Sequence, residues 1–180
     1  MDNALEQIVS NEEAAAPPPQ RLIEFLLPMV IVGVDQATKA MVRASVPVHD
    51  SVTVIPGFLD ITHALNSGAA FGILNGADFP FKTVIIAVIA AAALIGVGMY
   101  AASLSHHQLV ARIGLALIIG GAAGNLIDRV LAGSVVDFVD VYWRTHHFWA
   151  FNVADSAISV GVTMLILDML LTGPHVSKTV

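Results

Sequence analysis

The sequence predicts an all-α membrane protein, a four-transmembrane-helix bundle carrying a small β-sheet and a short interfacial helix. Three observations lead there. Hydrophobic residues fill 56% of the 180 positions against 12% charged, with a mean hydropathy of +0.78, far from the average soluble domain. Four stretches approach the ~20 apolar residues that a helix needs to cross a ~30 Å hydrocarbon core. Between the first two lies a polar segment with strand and turn signals.

Residues 1–20, with Asp2, Glu6, Glu12, Glu13 and the run Pro17-Pro18-Pro19, are acidic and Pro-interrupted. They read as a disordered tail, and they lack the basic start of a cleavable signal peptide. The first span, about 22–42, contains Glu24, Asp35 and Lys39 and serves as an uncleaved anchor. Ser51–Ile55 and Phe58–Ala64 flank Pro56-Gly57, a turn pair, and predict two short strands. Residues from Asn66 to about 78 predict the interfacial helix, so that sheet and helix together occupy about 44–80. The second span, about 83–104, is uncharged. The third, about 109–131, holds Arg112, Asp128 and Arg129, and the fourth, about 151–172, holds Asp155 and Asp168. A loop from about 132 to 150 joins them. Residues 174–180 form a second tail, leaving 21–173 as one membrane-embedded domain.

Zero cysteines exclude disulfides, thiol nucleophiles and cysteine-ligated metal. A net charge of -6 with scattered Lys and Arg offers no stripe for nucleic acid. The Lys/Arg asymmetry of the loops, counted naively, favours termini outside, but several of those residues lie at span ends where they pair locally.

Function is signalled by acids in apolar sequence. Asp128 ends Asn125-Leu126-Ile127-Asp128 and Asp155 ends Asn152-Val153-Ala154-Asp155, and a chain that keeps an ionisable side chain within a span usually uses it. The third and fourth spans run antiparallel through their joining loop, which puts both acids roughly 5 to 6 Å in from the same face. Asn125 and Arg129 share Asp128's helical face, as Asn152 and Ser156 share that of Asp155. Two close, buried carboxylates do not both ionise easily and so share a proton. That state suits peptide hydrolysis: one acid takes a proton from the attacking water, and the other supports the oxyanion and then protonates the amine. No metal or organic cofactor is needed.

Five ordered blocks carry a resemblance: Asp35-Gln36-Ala37-Thr38-Lys39, Asn66-Ser67-Gly68-Ala69-Ala70-Phe71-Gly72, Gly124-Asn125-Leu126-Ile127-Asp128-Arg129, Val136-Asp137-Phe138 and Phe151-Asn152-Val153-Ala154-Asp155. The chain resembles the lipoprotein signal peptidases, or signal peptidase II, over about residues 22–172. The resemblance implies a bacterial inner-membrane aspartyl endopeptidase with cytoplasmic termini, a periplasmic sheet and helix, and a site near the periplasmic face. It implies removal of signal peptides from diacylglyceryl-modified prolipoproteins, cut before the lipidated Cys. Asp128 and Asp155 match the catalytic dyad; Asn66, Gly68, Asn125, Arg129, Asn152 and Ala154 are substrate-binding or dyad-supporting; Asp35 and Lys39 are a structural pair. Expected partners are lipidated precursors and membrane lipids, with no nucleic acid and a monomer favoured. The acidic extension and Trp149, where many relatives carry Pro or Ala, are departures that leave the dyad untouched.

Plainer readings compete. Asp128 with Arg129 is also an interfacial ion pair, Gly120, Gly121 and Gly124 a close-packing surface, and Trp149 beside Trp143 an interfacial anchor. Asp137 and Asp140 read as solvated or structural, and Glu24 and Asp168 as snorkelling or meeting water. His106-His107 and His146-His147 lack the spacing that aims two imidazoles at zinc. A small proton or ion transporter with Asp128 and Asp155 as relay groups is the alternative function, although such sites usually lie near midplane between repeats.

Overall fold

The computed structural model describes residues 19–68, 76, 79–105 and 108–172. Residues 1–18 of the expected N-terminal tail, the expected C-terminal tail, most of the stretch expected as an interfacial helix and His106-His107 lie outside the described residues. Four helices have the length and apolarity to cross a membrane: α1 (Pro19–Ser45), α2 (Lys82–Ser103), α3 (Leu109–Ala132) and α4 (Val153–Thr172). Their large apolar side chains, such as Phe25, Met29, Val88 and Leu170, face outward, as lipid requires.

The core of the bundle is made of small residues. α3 is the hub, with Gly114, Gly120, Gly121 and Gly124 among its buried positions. A Cβ on Gly121 would stand 2.3 Å from the Ala154 carbonyl oxygen, and one on Gly120 2.9 Å from the Pro28 Cα. Helix association in lipid lacks a hydrophobic drive and relies on such close backbone packing. Gly161 repeats the device on α4, where a Cβ would stand 2.4 Å from the Gly114 carbonyl oxygen.

The expected hairpin is present as β1 (Ser51–Ile55) and β2 (Leu59–Asn66), turning at Gly57 with φ +79. The segment expected to be a plain loop between α3 and α4 is instead largely strand: β3 (Val135–Trp143) pairs antiparallel with β2, and β4 (His146–His147) completes the order β1-β2-β3-β4. Gly133, left-handed at φ 76, ends α3 and returns its N–H to the Arg129 carbonyl, so the chain enters β3 two residues later. Val136 and Phe138 of β3 then pack on Val42 of α1 and Val46 just past its end. This places the sheet on the end of the bundle where α3 stops and α4 starts.

Candidate active site

Each acid is positioned by a local device. Asn152 precedes α4 and forms a reciprocal cap: its Oδ1 accepts the Asp155 N–H at 2.9 Å, and Asp155 Oδ2 accepts the Asn152 N–H at 3.2 Å. This is the Asn-x-x-Asp form of a capping box and explains the Asn three residues ahead of the acid. Phe151 bridges to Val139 of β3, which carries Asn152 alongside Asp137. The Asn152 amide then donates to Asp137 Oδ1 at 2.7 Å, while Asn66, ending β2, donates to Asp137 Oδ2 at 3.0 Å.

Asp137, which reads from sequence as solvated or structural, therefore lies within the cluster. It is 5% exposed. Burial, and after it the negative charge of Asp155, push its carboxyl up to about 6, against the Asn66 and Asn152 hydrogen bonds. Asp155 accepts a second bond on Oδ1, from the Asn125 amide at 2.8 Å.

Asp128 sits differently. Its Oδ2 meets Lys39 Nζ at 2.8 Å and its Oδ1 meets Arg43 Nη2 at 2.8 Å, with Gln36 Nε2 at 3.4 Å. Lys39, fully buried, also binds Asp35 Oδ2 at 2.8 Å and Asn125 Oδ1 at 2.8 Å. Asp128 and Asp155, expected to meet from their matched depth, are joined by a hydrogen-bonded path in which the Lys39 ammonium and the Asn125 amide are successive steps. Matched depth fixes height along the helices but not the rotation of each side chain about them.

The remaining expected residues also converge here. Arg129 donates to the carbonyls of Gly68 at 3.0 Å and Asn125 at 3.2 Å, and the charges of Asp155, Asp137 and Asp128 all act on it. Gly68 in turn gives its N–H to Asn66 Oδ1 at 3.0 Å, so Arg129 and Asn66 fasten the chain leaving β2 over the acids. Ala154, fully buried, gives its N–H to Asp35 Oδ1 at 3.0 Å. The Asp35–Lys39 pair is thereby wired into the first turn of α4. Gly124 makes room for it, since a Cβ there would lie 2.7 Å from Asp35 Oδ2.

Elsewhere, Glu24 pairs with Arg112 through two hydrogen bonds instead of snorkelling. A cavity of about 430 Å³ borders this pair, with Phe25, Leu104 and Ala116 in its wall. Asp35, Asp128, Asp137 and Asp155 are not in its wall, and the acid it does hold, Glu24, is already paired, so the acid cluster is the better site. His147 meets Asp140 at 2.8 Å on the exposed side of the sheet, and among the described residues no three His, Cys, Asp or Glu side chains are grouped to hold a metal ion.

Membrane-length helices that gather buried acids and amides at one end define a multi-pass membrane protein of enzyme type. Two solved structures share the architecture, both described as bacterial membrane enzymes solved by the in meso method. One, at 2.3 Å resolution, has a TM-score of 0.74 and 34% identity over 87% of this chain and 93% of its own; the other, at 1.9 Å, has a TM-score of 0.72 and 31% identity over 84% and 94%. The lipoprotein signal peptidase of Geobacter metallireducens is 45% identical over 84% of this chain and 93% of its own length, and that of Solibacter usitatus 48% over 78% and 86%. The signal peptidase (SPase) II family profile matches residues 27–171. The chain belongs to the signal peptidase II family, membrane proteases of lipoprotein processing.

Proposed function

We propose that the chain is an aspartyl endopeptidase that removes signal peptides from diacylglyceryl-modified prolipoproteins, cutting before the lipidated Cys, and that Asp155 and Asp137 are its reacting pair. One observation carries the choice of pair: Asn152 holds both acids at once, Asp137 through its side-chain amide at 2.7 Å and Asp155 through its backbone N–H at 3.2 Å. Charge balance supports it. Lys39 and Arg43 pair directly with Asp35 and Asp128, whereas Asp137 and Asp155 feel the charges of Arg129 and Lys39 at longer range, which leaves room for one shared proton.

In this reading ionised Asp155 takes a proton from water as it attacks the scissile carbonyl carbon. Asp137 gives its proton to the developing oxyanion; as the C–N bond breaks, Asp155 passes to the amine the proton it took from water, and a hydroxyl of the collapsing diol returns a proton to Asp137. Asp128, the acid that sequence depth pairs with Asp155, acts at one remove by anchoring Lys39. The sheet end of the bundle faces the periplasm at headgroup level, with Trp143, Phe148 and Trp149 in the interface, and the termini are cytoplasmic. A diacyl chain held in lipid then sets the depth of the scissile bond beside the acids.

The test is a gel-shift assay with purified protein and a diacylglyceryl precursor beside the same precursor lacking lipid. Cleavage of the lipidated form alone is expected. Absence of cleavage, together with proton flux in proteoliposomes, would transfer the site to the transporter reading.

A further inference from the structure

We infer that Lys39 is a positioning residue for the reaction: its ammonium takes the oxygen of the Asn125 amide and thereby turns the amide nitrogen onto Asp155, fixing Asp155 as the ionised member of the pair. The inference rests on the Asp137–Asp155 reading and goes beyond it, since the choice of pair alone does not explain what keeps the proton off Asp155.

The argument is one of donors and acceptors. An amide side chain has one end that accepts and one that donates, and the two are nearly the same shape, so only its partners decide which way it points. Lys39 decides it, because an ammonium can only donate. Its Nζ lies 2.8 Å from Asn125 Oδ1, and the Asn152 amide, whose own direction is set by the Asp155 N–H on its oxygen, adds a second donor to that atom at 3.2 Å. Asn125 Nδ2 is left facing Asp155 Oδ1 at 2.8 Å. With the Asn152 N–H on Oδ2, both oxygens of Asp155 accept, as both oxygens of Asp137 do; Asp155 differs in that one of its donors is an amide whose direction an ammonium sets. Burial and the charge of Asp155 push Asp137 up to about 6, which lets it carry the shared proton while the amide set by Lys39 holds Asp155 ionised.

The position of Lys39 also makes sense of its surroundings. A bare buried ammonium is too costly to keep, and Asp35 and Asp128 at 2.8 Å each compensate it. Asp35 further holds the Ala154 N–H, one residue before Asp155. A buried ion pair on α1 therefore determines the hydrogen-bonding direction of an amide on α3 and the seat of an acid on α4.

The experiment compares the pH dependence of kcat for the parent, Lys39→Arg and the charge-balanced double variant Asp35→Asn/Lys39→Met. In the double variant the amide introduced at position 35 still offers an oxygen to Ala154, and Asp128 keeps Arg43. Without the ammonium only the longer Asn152 contact, 3.2 Å, holds the Asn125 oxygen, and the amide can turn that oxygen to Asp155, which then favours a proton there. The acid limb of kcat is expected to move up by about 1 pH unit, and to return most of the way in Lys39→Arg. Equal loss at all pH values with an unmoved limb would overturn the inference. A second readout does not need turnover: in ¹⁵N-Asn-labelled protein, the Asn125 side-chain proton, assigned by its loss in Asn125→Leu, should be shifted downfield in the parent and return toward free-amide values in the double variant. An identical signal in both would also overturn it. Failure of the reaction-pair reading shows elsewhere, as near-normal turnover by Asp137→Asn, and leaves the amide signal unaffected.

Discussion

Two sets of buried acids lie side by side in this molecule, and their neighbours differ in kind. Asp35 and Asp128 are met by cations, Lys39 and Arg43 at 2.8 Å. Asp137 and Asp155 are met by amides: Asn66, Asn125, and Asn152 through side chain or backbone. A cation removes the reason for a carboxylate to take up a proton, while an amide orients the group and leaves its proton exchangeable. The first set is therefore suited to holding helices in place and the second to moving protons. Burial of an acid is common to both and does not tell them apart; the chemistry of the partner does.

The largest effects should separate the sets. Asp155→Asn and Asp137→Asn are each expected to lower kcat by about 1,000-fold or more, a loss of roughly 4 kcal/mol in transition-state stabilisation, while the proteins remain folded and inserted. Asp128→Asn should instead act through stability, since it leaves Asp35 as the carboxylate partner of Lys39 and takes the charge away from Arg43; breaking a buried pair on one side costs about 3–5 kcal/mol. Thermal melting and single-turnover cleavage in the same micelles read the two quantities. If Asp128→Asn melts normally yet is inactive, and Asp137→Asn still cleaves, then Asp128 is the second acid and the distinction between the sets falls.

The glycine contacts sharpen the same point from the packing side. Gly121→Ala pushes a methyl group toward the Ala154 carbonyl, next to Asp155, and should cost about 1–3 kcal/mol of stability or more, with loss of turnover, as overpacked contacts do. Gly98→Ala, with nothing within 4 Å of the added carbon, should be close to silent in both assays.

A smaller effect, but one with a sign fixed in advance, concerns Asp137. Its carboxyl lies at about 6 in the folded protein against 3.8 ordinarily, so the folded state holds this proton more tightly. The contribution to stability is greatest below the ordinary value and declines as pH rises through about 6, by up to about 3 kcal/mol in all. Asp137→Asn has no such decline. Its melting temperature relative to the parent should rise steadily from about pH 4 to about pH 7, whatever constant offset comes from placing a second amide against Asn66. A flat difference would show that Asp137 is an ordinary acid and belongs with the compensated set.

Much of this is legible in the sequence, for definite reasons. Spans are long and apolar, so four helices and their rough ends follow from composition, and Pro56-Gly57 marks its hairpin. Asn125, Asn152 and Asp155 stand out because polar residues in apolar runs are rare. Asp137 escapes because it lies in the segment read as a loop between the third and fourth spans, where an acid reads as solvated, although Val136-Asp137-Phe138 is one block of the resemblance. A signal is nevertheless there: Val135, Val136, Val139, Val141, Tyr142 and Trp143 are strand formers, and a strand across them brings Asp137 onto the sheet beside Asn66 and Asn152. Side-chain rotation is the other obstacle, because helical depth puts Asp128 and Asp155 in one layer without saying that Lys39 lies between.

The smallest effect is optical and tests which side of the comparison faces the lipid surface. The chain has two tryptophans, Trp143 and Trp149, 69% and 63% exposed beside Phe148 at 55%, at the edge of the sheet and just before α4 enters the bundle. Large aromatic side chains with a polar N–H are most favourably placed at headgroup level, where ring and donor are both satisfied. All tryptophan fluorescence therefore reports on this hairpin. In nanodiscs it should be quenched strongly by lipids brominated near the headgroup and weakly by aqueous acrylamide. The reverse would lift the hairpin, and with it the Phe151–Asp155 segment that β3 carries, into bulk water. The acids would then be too far from the bilayer for a lipid-anchored precursor to reach them without leaving the membrane, and the amide-held set would need a soluble substrate instead.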